Sequence, residues 1–347
     1  MTDDGSRRTW LRGCAQPLAT RYDVALLDLD GVVYLGPQPI AGAATALAKV
    51  REVGMRLAFV TNNASRDPAT VAAHLSRMGV PATADEVVTS AQAAASVVLD
   101  RLGPGASVLV VGSPALRDIV RAAGLRPVLS AEDRPAAVVQ GFWAQLCYED
   151  LAAATLAVRG GSLWVATNVD ATLPSPRGLL PGNGSLVGVV ATASGQKPIV
   201  AGKPELPLHA EGVRRMKANR PLVVGDRLDT DIEGANAAAT DSLLVMTGVT
   251  TVTELLNAPA EHRPTYLACD LRGLLEPHPE VVVDATGARC GDWLARRRDG
   301  ARAEVELIGD GPAFDGLRAV LALSWSADDA GEELLDAARA LDRLDVG

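Results

Sequence analysis

The sequence VALLDLDGVVYLG, residues 24–36, decides the fold of this chain. Four apolar residues run without alternation into Asp28 and Asp30, and Gly31 follows. An unbroken apolar run of this kind is typical of a strand that is buried on both faces, as in a parallel sheet covered by helices. Ligands of such open sheets bind outside the carboxyl ends of the strands. The pattern therefore places the two carboxylates at a candidate site.

Two carboxylates at the end of a buried strand need a partner, because a buried charge is paired or binds a metal. Gly31 allows the backbone to turn, so that Asp28 and Asp30 can converge. Mg²⁺ would suit them, since it takes a few carboxylate oxygens and keeps its other positions for water and phosphate. The alternative is an acidic turn whose aspartates cap nearby amides, and this stretch alone leaves both interpretations open.

Length and composition limit the class of protein. The chain has 347 residues, of which 48% are hydrophobic, which is enough for two or three domains. A formal net charge of -9 argues against nucleic acid as the main partner but leaves room for a small anionic substrate. We expect no membrane span, because no uninterrupted apolar run approaches 18 residues. Arg7-Arg8 precedes no apolar run, so we expect no export signal and a cytoplasmic protein.

Cysteine and histidine usage gives no sign of a disulfide framework or a zinc site. The four cysteines are Cys14, Cys147, Cys269 and Cys290. No two of them have CxxC spacing, which favours reduced thiols. The four histidines are His74, His209, His262 and His278. They lie far apart in the sequence, and this spacing argues against a histidine-rich metal site.

A second apolar run, residues 56–60, leads directly into the polar sequence TNNASR, residues 61–66. Its order after the first strand and a helix predicts parallel pairing with a right-handed crossover. Thr61, Asn62 and Asn63 are then expected at the same sheet edge as Asp28. A hydroxyl and amides before a helix that begins near Asp67-Pro68 could hold a phosphate, although the same residues are also an ordinary cap or turn.

Residues from about 90 to 196 form a separate αβ segment, which is long enough for a domain inserted into the first. We predict strands at 107–112, 138–142 and 163–167 and helices at 114–123 and 148–159. The polar loop 168–178 contains Asp170 and Arg177, which could contact a substrate or form ordinary loop salt bridges. The sequence PGNG at 181–184 lacks the lysine of a phosphate-binding loop and predicts a turn.

Two further charged positions follow this segment. Lys203 lies between Gly202 and Pro204, which restrict its backbone, although a lone lysine is usually a solvated charge. A third buried strand at 220–225 ends in Asp226, and more acids follow up to Glu233. So many carboxylates at one strand end repel each other unless a cation neutralises them. Another strand at 242–247 and a helix at 252–256 complete this part of the chain.

The last part of the chain, from about residue 277, contains no chemistry that the sequence identifies. We predict strands at 281–285 and 303–308 and helices at 314–323 and 328–344, and we interpret the basic run 296–298 as a solvated helix face. The extension could cover the core or build a dimer interface. It could also resemble part of an acetyltransferase fold, but it has no acyl-CoA phosphate loop.

Taken together, Asp28-x-Asp30, Thr61, Lys203 and Asp226 with Asp231 resemble the haloacid dehalogenase superfamily of phosphatases. The motifs DLDGVVY, VTNNASR and GDRLDTDI resemble those of one branch of this superfamily. That branch contains 4-nitrophenylphosphatases, phosphoglycolate and glycerol-3-phosphate phosphatases and NagD-like proteins.

The resemblance covers about residues 18–276 and implies an α/β fold with a Rossmann-like parallel-sheet core at 17–90 and 197–276. It also implies an inserted α/β cap of the second type at 91–196, and it leaves 277–347 as a small C-terminal αβ extension.

The resemblance also implies roles for the candidate residues. Asp28 would be the nucleophile that takes the phosphoryl group. Asp30 would act first as general acid on the leaving alkoxide and then as general base on water. Thr61 and Asn62 would hold the transferring oxygens, with Asn63 beside them, and Lys203 would neutralise charge near the phosphoryl group.

The implied cofactor is Mg²⁺. Its ligands would be Asp28, the backbone carbonyl of Asp30 and Asp226, with Asp231 behind them. The cap would choose the substrate, with Asp170 and Arg177 as hypothetical specificity contacts.

The expected function is hydrolysis of a small phosphate monoester through an aspartyl phosphate, with glycerol 3-phosphate as the preferred substrate. Hydrolysis is favoured because the transport ATPases of the superfamily have a threonine where this chain has Asp30. The alternatives are phosphoglycolate or another small sugar, nucleotide or aryl phosphate, a non-hydrolytic phosphotransferase or mutase, and a binding or regulatory protein that acts through the extension. The expected partners are a small phosphate ester and a second copy of the chain in a homodimer.

Overall fold

The structure is a computed structural model that describes residues 10–175, 177–298, 304–332, 334, 337–342 and 344. Arg7-Arg8 lies outside the described residues. Contacts divide the chain into a first unit, made of the residues up to Leu57 and from Asn219 onwards, and a second unit from Ala58 to Ala218. The core, cap and extension boundaries predicted above stay a prediction. Among the described residues, no helix is both long and apolar enough to cross a membrane.

The N-terminal part of the chain, up to residue 102, alternates short strands with helices. Its elements are α1 (Leu18–Arg21), β1 (Val24–Leu27), β2 (Tyr34–Leu35), β3 (Gln38–Pro39), α2 (Ala43–Glu52), β4 (Arg56–Thr61), α3 (Pro68–Arg77), β5 (Val87–Thr89) and α4 (Ser90–Leu102).

The middle part, up to residue 200, continues the alternation and adds one hairpin. Its elements are β6 (Ser107–Val111), α5 (Pro114–Ala122), β7 (Arg126–Val128), β8 (Ala137–Gln140), α6 (Tyr148–Arg159), β9 (Leu163–Ala166), β10 (Thr172–Ser175), β11 (Gly178–Pro181), α7 (Asn183–Ser194) and β12 (Ile199–Val200).

The C-terminal part begins with alternating helices and strands and ends in four consecutive strands and two helices. Its elements are α8 (Leu206–Met216), β13 (Pro221–Gly225), α9 (Glu233–Ala237), β14 (Asp241–Val245), α10 (Val252–Leu256), β15 (Tyr266–Ala268), β16 (Val281–Asp284), β17 (Gly287–Cys290), β18 (Trp293–Arg298), β19 (Glu304–Ile308), α11 (Ala313–Asp329) and α12 (Ala337–Ala340).

The first unit contains a parallel sheet in the order β15, β14, β13, β1. All four residues of β1 are buried, and so are the last four of β13, as expected for strands covered on both faces. The parallel register joins Val24 to Pro221 and Leu27 to Val224, so β1 and β13 end side by side. The predicted Rossmann-like α/β fold class is confirmed.

The second unit contains a five-stranded, all-parallel sheet in the order β12, β9, β8, β6, β7. The strands predicted at 107–112, 138–142 and 163–167 are β6, β8 and β9, and the two predicted helices are α5 and α6. In the same unit β4 pairs in parallel with β5. The helix predicted near Asp67-Pro68 is α3, and the Asp67 side chain accepts a hydrogen bond from Thr70 N at 2.9 Å.

One prediction in the second unit is wrong. The sequence PGNG at 181–184 is not a simple turn, because α7 begins at Asn183 and runs for 12 residues. Asn183 is buried, and its side-chain amide donates to the backbone oxygen of Asn168 at 2.7 Å. The helix start is therefore stabilised by a contact with a residue 15 positions earlier, which the PGNG sequence itself does not show.

The C-terminal extension forms an antiparallel sheet in the order β16, β17, β18, β19, followed by α11. The strands predicted at 281–285 and 303–308 are β16 and β19, although Ala303 lies outside the described residues. The basic run 296–298 belongs to β18, so its interpretation as a helix face is wrong. The helix predicted over 328–344 is also wrong, since α11 ends at Asp329 and the described residues beyond it contain only α12.

The extension and the parallel sheet of the first unit share one hydrophobic cluster. Leu244 and Leu267 of the sheet belong to the same cluster as Trp293, Leu317 and Trp325 of the extension. Trp325 is 1% exposed, and its indole N–H donates to the backbone oxygen of Leu255 at 3.1 Å. The extension therefore covers the core, which is one of the two structural roles considered from the sequence.

Candidate active site

Three carboxylates converge in the first unit where two neighbouring strands end. Asp28 follows β1, Asp226 follows β13, and Asp231 lies on a single π-helical turn, Leu228–Ile232, that comes after β13. One oxygen from each carboxylate lies within 4.8 Å of the other two. Asp226 is 0% exposed and Asp231 is 2% exposed. Like charges this close and this buried require a cation, and carboxylate oxygens are the ligands that Mg²⁺ prefers.

Backbone hydrogen bonds hold these carboxylates in place. The Asp28 N–H donates to the backbone oxygen of Val224 at 2.8 Å, which continues the pairing of β1 with β13 past the last strand residue. Asp226 Oδ2 accepts from the Val249 N–H at 2.8 Å, and Asp231 Oδ2 accepts from the Arg227 N–H at 3.2 Å. Such bonds fix the orientation of the two carboxyl groups. The backbone of Asp28 and the side chains of Asp226 and Asp231 are therefore held in place by the surrounding backbone.

Glycines make the close approach of these acids possible. Gly31 has φ +88°, and a Cβ atom there would overlap the Asp226 carboxylate. A Cβ atom on Gly225 would overlap the Asp231 side chain, and one on Gly248 would overlap Asp226. Only glycine satisfies both the positive φ at residue 31 and the lack of space at these positions. The glycine after the DxD sequence thus serves both the turn and the packing of Asp226.

Asp30 differs from the three clustered acids because its side chain is exposed. It begins the tight turn that leads into β2, where the Gly31 N–H donates to the backbone oxygen of Tyr34 at 2.7 Å. The Gly36 N–H lies 3.5 Å from the Asp30 carboxylate, which is a long contact. Its carboxylate is not part of the three-acid cluster, and the role predicted for its backbone carbonyl stays a prediction.

The second unit contains the candidate phosphate-binding residues. Thr61 ends β4, and its Oγ1 accepts a hydrogen bond from the Asn63 N–H at 3.1 Å. Asn63 Oδ1 accepts from both the N–H and the hydroxyl of Ser65, at 2.9 and 2.7 Å. Since Thr61 Oγ1 accepts from the backbone, its own proton can be donated outwards.

Asn62 joins this loop to the lysine segment of the same unit. Its Oδ1 accepts from the Lys203 N–H at 2.8 Å, and its Nδ2 donates to the Lys203 backbone oxygen at 3.2 Å. Gly202 has no space for a side chain, because a Cβ atom there would meet Asn62 Oδ1 and the backbone oxygen of Thr167 at 2.6 Å. The Lys203-Pro204 peptide is cis. The structure thus brings together Asn62 and Lys203, which the sequence predicted as separate site residues.

The two residues predicted from the loop at 168–178 lie in different positions. Asp170 is exposed, and Asn62 Nδ2 approaches its Oδ2 at 3.5 Å, so it lies beside the loop that follows β4. Arg177 is exposed on the turn that joins β10 to β11, where its N–H donates to Ser175 Oγ at 3.2 Å. The described residues of this loop from 172 to 178 belong to the β-hairpin of β10 and β11, which ends at Pro181, and Arg177 lies at the tip of that hairpin.

Sequence reasoning missed several residues that support these two clusters. In the first unit, Thr247 Oγ1 donates to the Gly31 backbone oxygen and Thr250 Oγ1 donates to the Asp226 backbone oxygen, both at 2.6 Å. The signal was present in the sequence TGVT, residues 247–250, which begins at the last residue of the strand predicted at 242–247. Asn168 and Asn183 of the second unit were quoted as parts of a loop and a turn, and no local pattern showed that they pair.

Comparison with known proteins agrees with this fold and these motifs. A family model described as haloacid dehalogenase-like hydrolase matches residues 25–126, and a second model, described as HAD-hydrolase-like, matches residues 200–274. The chain belongs to the haloacid dehalogenase-like hydrolases, which confirms the resemblance inferred from the sequence.

Within this family, the chain is similar to a D-glycerol 3-phosphate phosphatase from Mycobacterium tuberculosis. The two are 48% identical over 318 residues, which cover 89% of this chain and 88% of the relative. A crystal structure of glycerol phosphate phosphatase from Mycobacterium tuberculosis in complex with magnesium superposes with a TM-score of 0.84 and 46% identity, covering 96% of this chain and 100% of that one.

A shorter relative shows which part of the chain is additional. The acid sugar phosphatase of Staphylococcus saprophyticus is 38% identical over 257 residues, and the match covers 97% of that protein but only 74% of this chain. The mycobacterial structure, in contrast, is matched over its full length. The additional length is therefore shared with the mycobacterial glycerol phosphate phosphatase and not with the acid sugar phosphatase.

Proposed function

We propose that this chain is a Mg²⁺-dependent phosphatase that hydrolyses D-glycerol 3-phosphate to glycerol and phosphate through an aspartyl phosphate on Asp28. The observation that carries the proposal is the cluster of Asp28, Asp226 and Asp231 at the ends of adjacent parallel strands. The named substrate is supported by the 48% identity with the mycobacterial D-glycerol 3-phosphate phosphatase, which extends over the C-terminal extension.

In the first step, a carboxylate oxygen of Asp28 attacks phosphorus while the bond from phosphorus to the glycerol oxygen breaks. Asp30 donates its proton to the departing alkoxide, so that glycerol leaves as the neutral alcohol. In the second step, Asp30 takes a proton from water as the water oxygen attacks phosphorus. The bond from phosphorus to Asp28 then breaks, which releases phosphate and restores both carboxyl groups.

We assign hydrogen bonding of the phosphoryl oxygens to donors in the second unit. Thr61 donates from its hydroxyl, Asn62 donates from its backbone N–H with Asn63 beside it, and Lys203 supplies a positive charge. These groups act in the transition state, where charge is spread over the transferring oxygens. For the glycerol part of the substrate, Asp170 and Arg177 remain our proposed specificity contacts.

The metal ligands that we propose are Asp28, the backbone carbonyl of Asp30 and Asp226, with Asp231 behind them. The donor set fits Mg²⁺, because it is made of oxygen atoms and its buried carboxylates are adjacent. When bound, Mg²⁺ shields the carboxylate nucleophile from an anionic substrate and neutralises charge on the transferring group. The magnesium complex of the mycobacterial phosphatase supports this choice of metal.

The test of the proposed function is a phosphate-release assay on a panel of esters with and without Mg²⁺. The panel contains D-glycerol 3-phosphate, its L enantiomer, phosphoglycolate, a hexose 6-phosphate, a nucleoside monophosphate and p-nitrophenyl phosphate. We expect D-glycerol 3-phosphate to give the highest kcat/KM, and we expect EDTA to abolish release with all of them and Mg²⁺ to restore it.

A different leading ester would replace the substrate and keep the phosphatase. The 38% identity with an acid sugar phosphatase makes a sugar phosphate the second candidate. Full activity in EDTA would overturn the metal assignment. Transfer of the phosphoryl group to an added alcohol without free phosphate would replace hydrolysis by phosphotransfer.

A second prediction concerns Asp30. The Asp30→Asn variant is expected to lose about 10²- to 10⁴-fold in kcat with D-glycerol 3-phosphate, because glycerol alkoxide is a poor leaving group that needs a proton. The rate of aspartyl-phosphate formation from p-nitrophenyl phosphate should fall much less, since p-nitrophenolate leaves without protonation. Rapid-mixing measurement of the first p-nitrophenolate turnover checks this difference.

The matched control for Asp30→Asn is Asp229→Asn, which removes an exposed carboxylate close to Asp226 in the sequence. The Arg227 guanidinium holds the pKa of Asp229 below its ordinary value through a side-chain hydrogen bond at 2.7 Å. This control should keep its kcat within about twofold, because exposed pairs of this kind contribute little. Equal losses with both esters in Asp30→Asn would remove the general-acid role.

The remaining partner and location assignments stay predictions from the sequence. A homodimer is expected to sediment at twice the mass of the chain, and sedimentation at the monomer mass would remove that expectation. All four cysteines are free thiols in the structure, which supports a reducing compartment such as the cytoplasm.

A further inference from the structure

Asn168 lies at the centre of a hydrogen-bonded network in the second unit. Its Nδ2 donates to the backbone oxygen of Asn62 at 2.8 Å, and its Oδ1 accepts from the Asp170 N–H at 3.2 Å. The residue is 6% exposed, directly after β9 and Thr167. One buried side chain therefore connects the phosphate-binding loop to the turn that carries Asp170.

Asn183 holds Asn168 from the other side. The Asn183 side chain donates from Nδ2 to the backbone oxygen of Asn168 at 2.7 Å and is 2% exposed. The flanking Gly182 and Gly184 lie directly against the backbone of residues 169–172, since a Cβ atom on either glycine would overlap it. The Gly184 N–H also donates to the Asp170 backbone oxygen at 2.9 Å. The start of α7 is thus a rigid support for Asn168.

The bond from Asn168 also determines the direction of a second group in the loop. The backbone oxygen of Asn62 and the N–H of Asn63 belong to one planar peptide and point in opposite directions. Asn168 and the Ser90 hydroxyl, at 2.7 Å, both donate to that oxygen. With the oxygen fixed, the Asn63 N–H points to Thr61 Oγ1, which accepts from it at 3.1 Å. Accepting this bond uses a lone pair of Thr61 Oγ1 and leaves its proton for another acceptor.

We infer that Asn168, supported by Asn183, is a positioning residue for phosphoryl transfer. Asn168 fixes the peptide between Asn62 and Asn63, and this peptide orients the Thr61 hydroxyl towards a phosphoryl oxygen. Through its Oδ1 it also holds Asp170 in a fixed relation to the same peptide. The donor to the phosphate and the proposed contact to the organic part of the ester are thereby set by one side chain. This inference rests on the proposed function, because Thr61 is a phosphate ligand only in that proposal.

The experiment compares Asn168→Ala and Asn168→Asp with the wild type. Asn168→Asp has nearly the same shape and keeps an acceptor for the Asp170 N–H, but it replaces the donor that faces the Asn62 oxygen. We expect both variants to lose about 10- to 100-fold in kcat with D-glycerol 3-phosphate, the range found for residues that orient a catalytic group, while KM changes less than about threefold. Asn183→Ala should show a smaller loss in the same direction.

Two further readouts separate positioning from a general structural role. Orthovanadate resembles the trigonal-bipyramidal transition state, so its inhibition constant should rise in proportion to the loss in kcat, while that of inorganic phosphate changes little. Hydrogen exchange of the backbone amides at 62–65 should become faster. The control is Thr155→Ala, which removes a hydroxyl that donates to Leu151 O within α6, and we expect it to match the wild type in all three readouts.

The outcomes distinguish this inference from the proposed function. Suppose that the wild type hydrolyses D-glycerol 3-phosphate but the Asn168 variants match Thr155→Ala in kcat and in hydrogen exchange. That result would overturn the positioning role and leave the proposed function intact. Equal losses of orthovanadate and phosphate affinity would also overturn it. A wild type that hydrolyses p-nitrophenyl phosphate and not D-glycerol 3-phosphate would remove the substrate, and the Asn168 comparison would then be decided on p-nitrophenyl phosphate. A wild type without phosphatase activity would remove both.

Discussion

Replacing Asp28 by asparagine is expected to lower kcat by about 10⁴-fold or more with every ester that the wild type hydrolyses. An amide oxygen is a poor nucleophile, and no other carboxylate of the cluster lies at the end of β1. Phosphate release in single-turnover and steady-state assays checks the loss. Trapping of an acid-stable phosphoryl group on the wild type, at the peptide that contains Asp28, and its absence in the variant would identify the nucleophile directly.

The same variant has a second expected effect, on stability in the absence of metal. Asp28, Asp226 and Asp231 have carboxylate oxygens within 4.8 Å of each other, so neutralising one removes a repulsion of at least about 1 kcal/mol. In EDTA the variant should therefore unfold at the same or a higher temperature than the wild type, and Mg²⁺ should stabilise it less. Asp229→Asn is the control for both effects. An Asp28→Asn variant that retains a tenth of the wild-type kcat, or that unfolds earlier in EDTA, would contradict this account.

Removing the Arg263 side chain is expected to destabilise the first unit by about 1–3 kcal/mol, because it empties a buried volume and removes the donor to the Ala258 backbone oxygen. The Arg263 side chain is 1% exposed and bonds to Asp328 and Asp329 of α11, each at 2.5 Å, and to the Ala258 backbone oxygen at 3.0 Å. Its guanidinium carbon also lies 6.0 Å from the ring centre of Trp10 and 5.4 Å from that of Trp325. Arg263→Ala therefore loosens α11 from the rest of its unit.

The measurement is urea unfolding followed by tryptophan fluorescence, because Trp10 and Trp325 report on this contact. The matched control is Arg296→Ala, which removes an exposed arginine that pairs with Glu306 at 2.8 Å on β18 and β19. We expect it to cost about 0–1 kcal/mol. If Arg263→Ala shifts the urea midpoint no further than Arg296→Ala, the buried contact does not stabilise the unit.

Local patterns in the sequence were sufficient for the elements that carry the acids. The apolar runs before Asp28 and Asp226 predict strands that are buried on both faces, and the structure has both strands side by side. The position of Asp231 near the other acids was predicted from its place in the acidic segment after the second strand. These predictions succeeded because a strand in a covered parallel sheet must be apolar along its whole length, which is a local property.

Contacts between distant parts of the chain could not be predicted in this way. Asn168 and Asn62 are 106 residues apart, and the start of α7 depends on a hydrogen bond that no neighbouring residue indicates. The strand β18 was missed because its basic end is exposed and its pairing residues lie on β17 and β19. The role of Arg263 could not be predicted either, because nothing in the sequence around a single arginine indicates that it is buried against residues of the extension.

The order of the chain has a consequence for the way the protein folds during synthesis. The first unit pairs β1 with β13 across nearly two hundred intervening residues, and its Trp10 contacts Trp325 at a ring distance of 5.2 Å. The N-terminal strand therefore leaves the ribosome long before β13, whereas the five-stranded sheet of the second unit is complete once residue 200 has emerged. The hydrophobic cluster that joins the parallel sheet to the extension can therefore form only after α11 has been translated, so the first unit is completed late in synthesis.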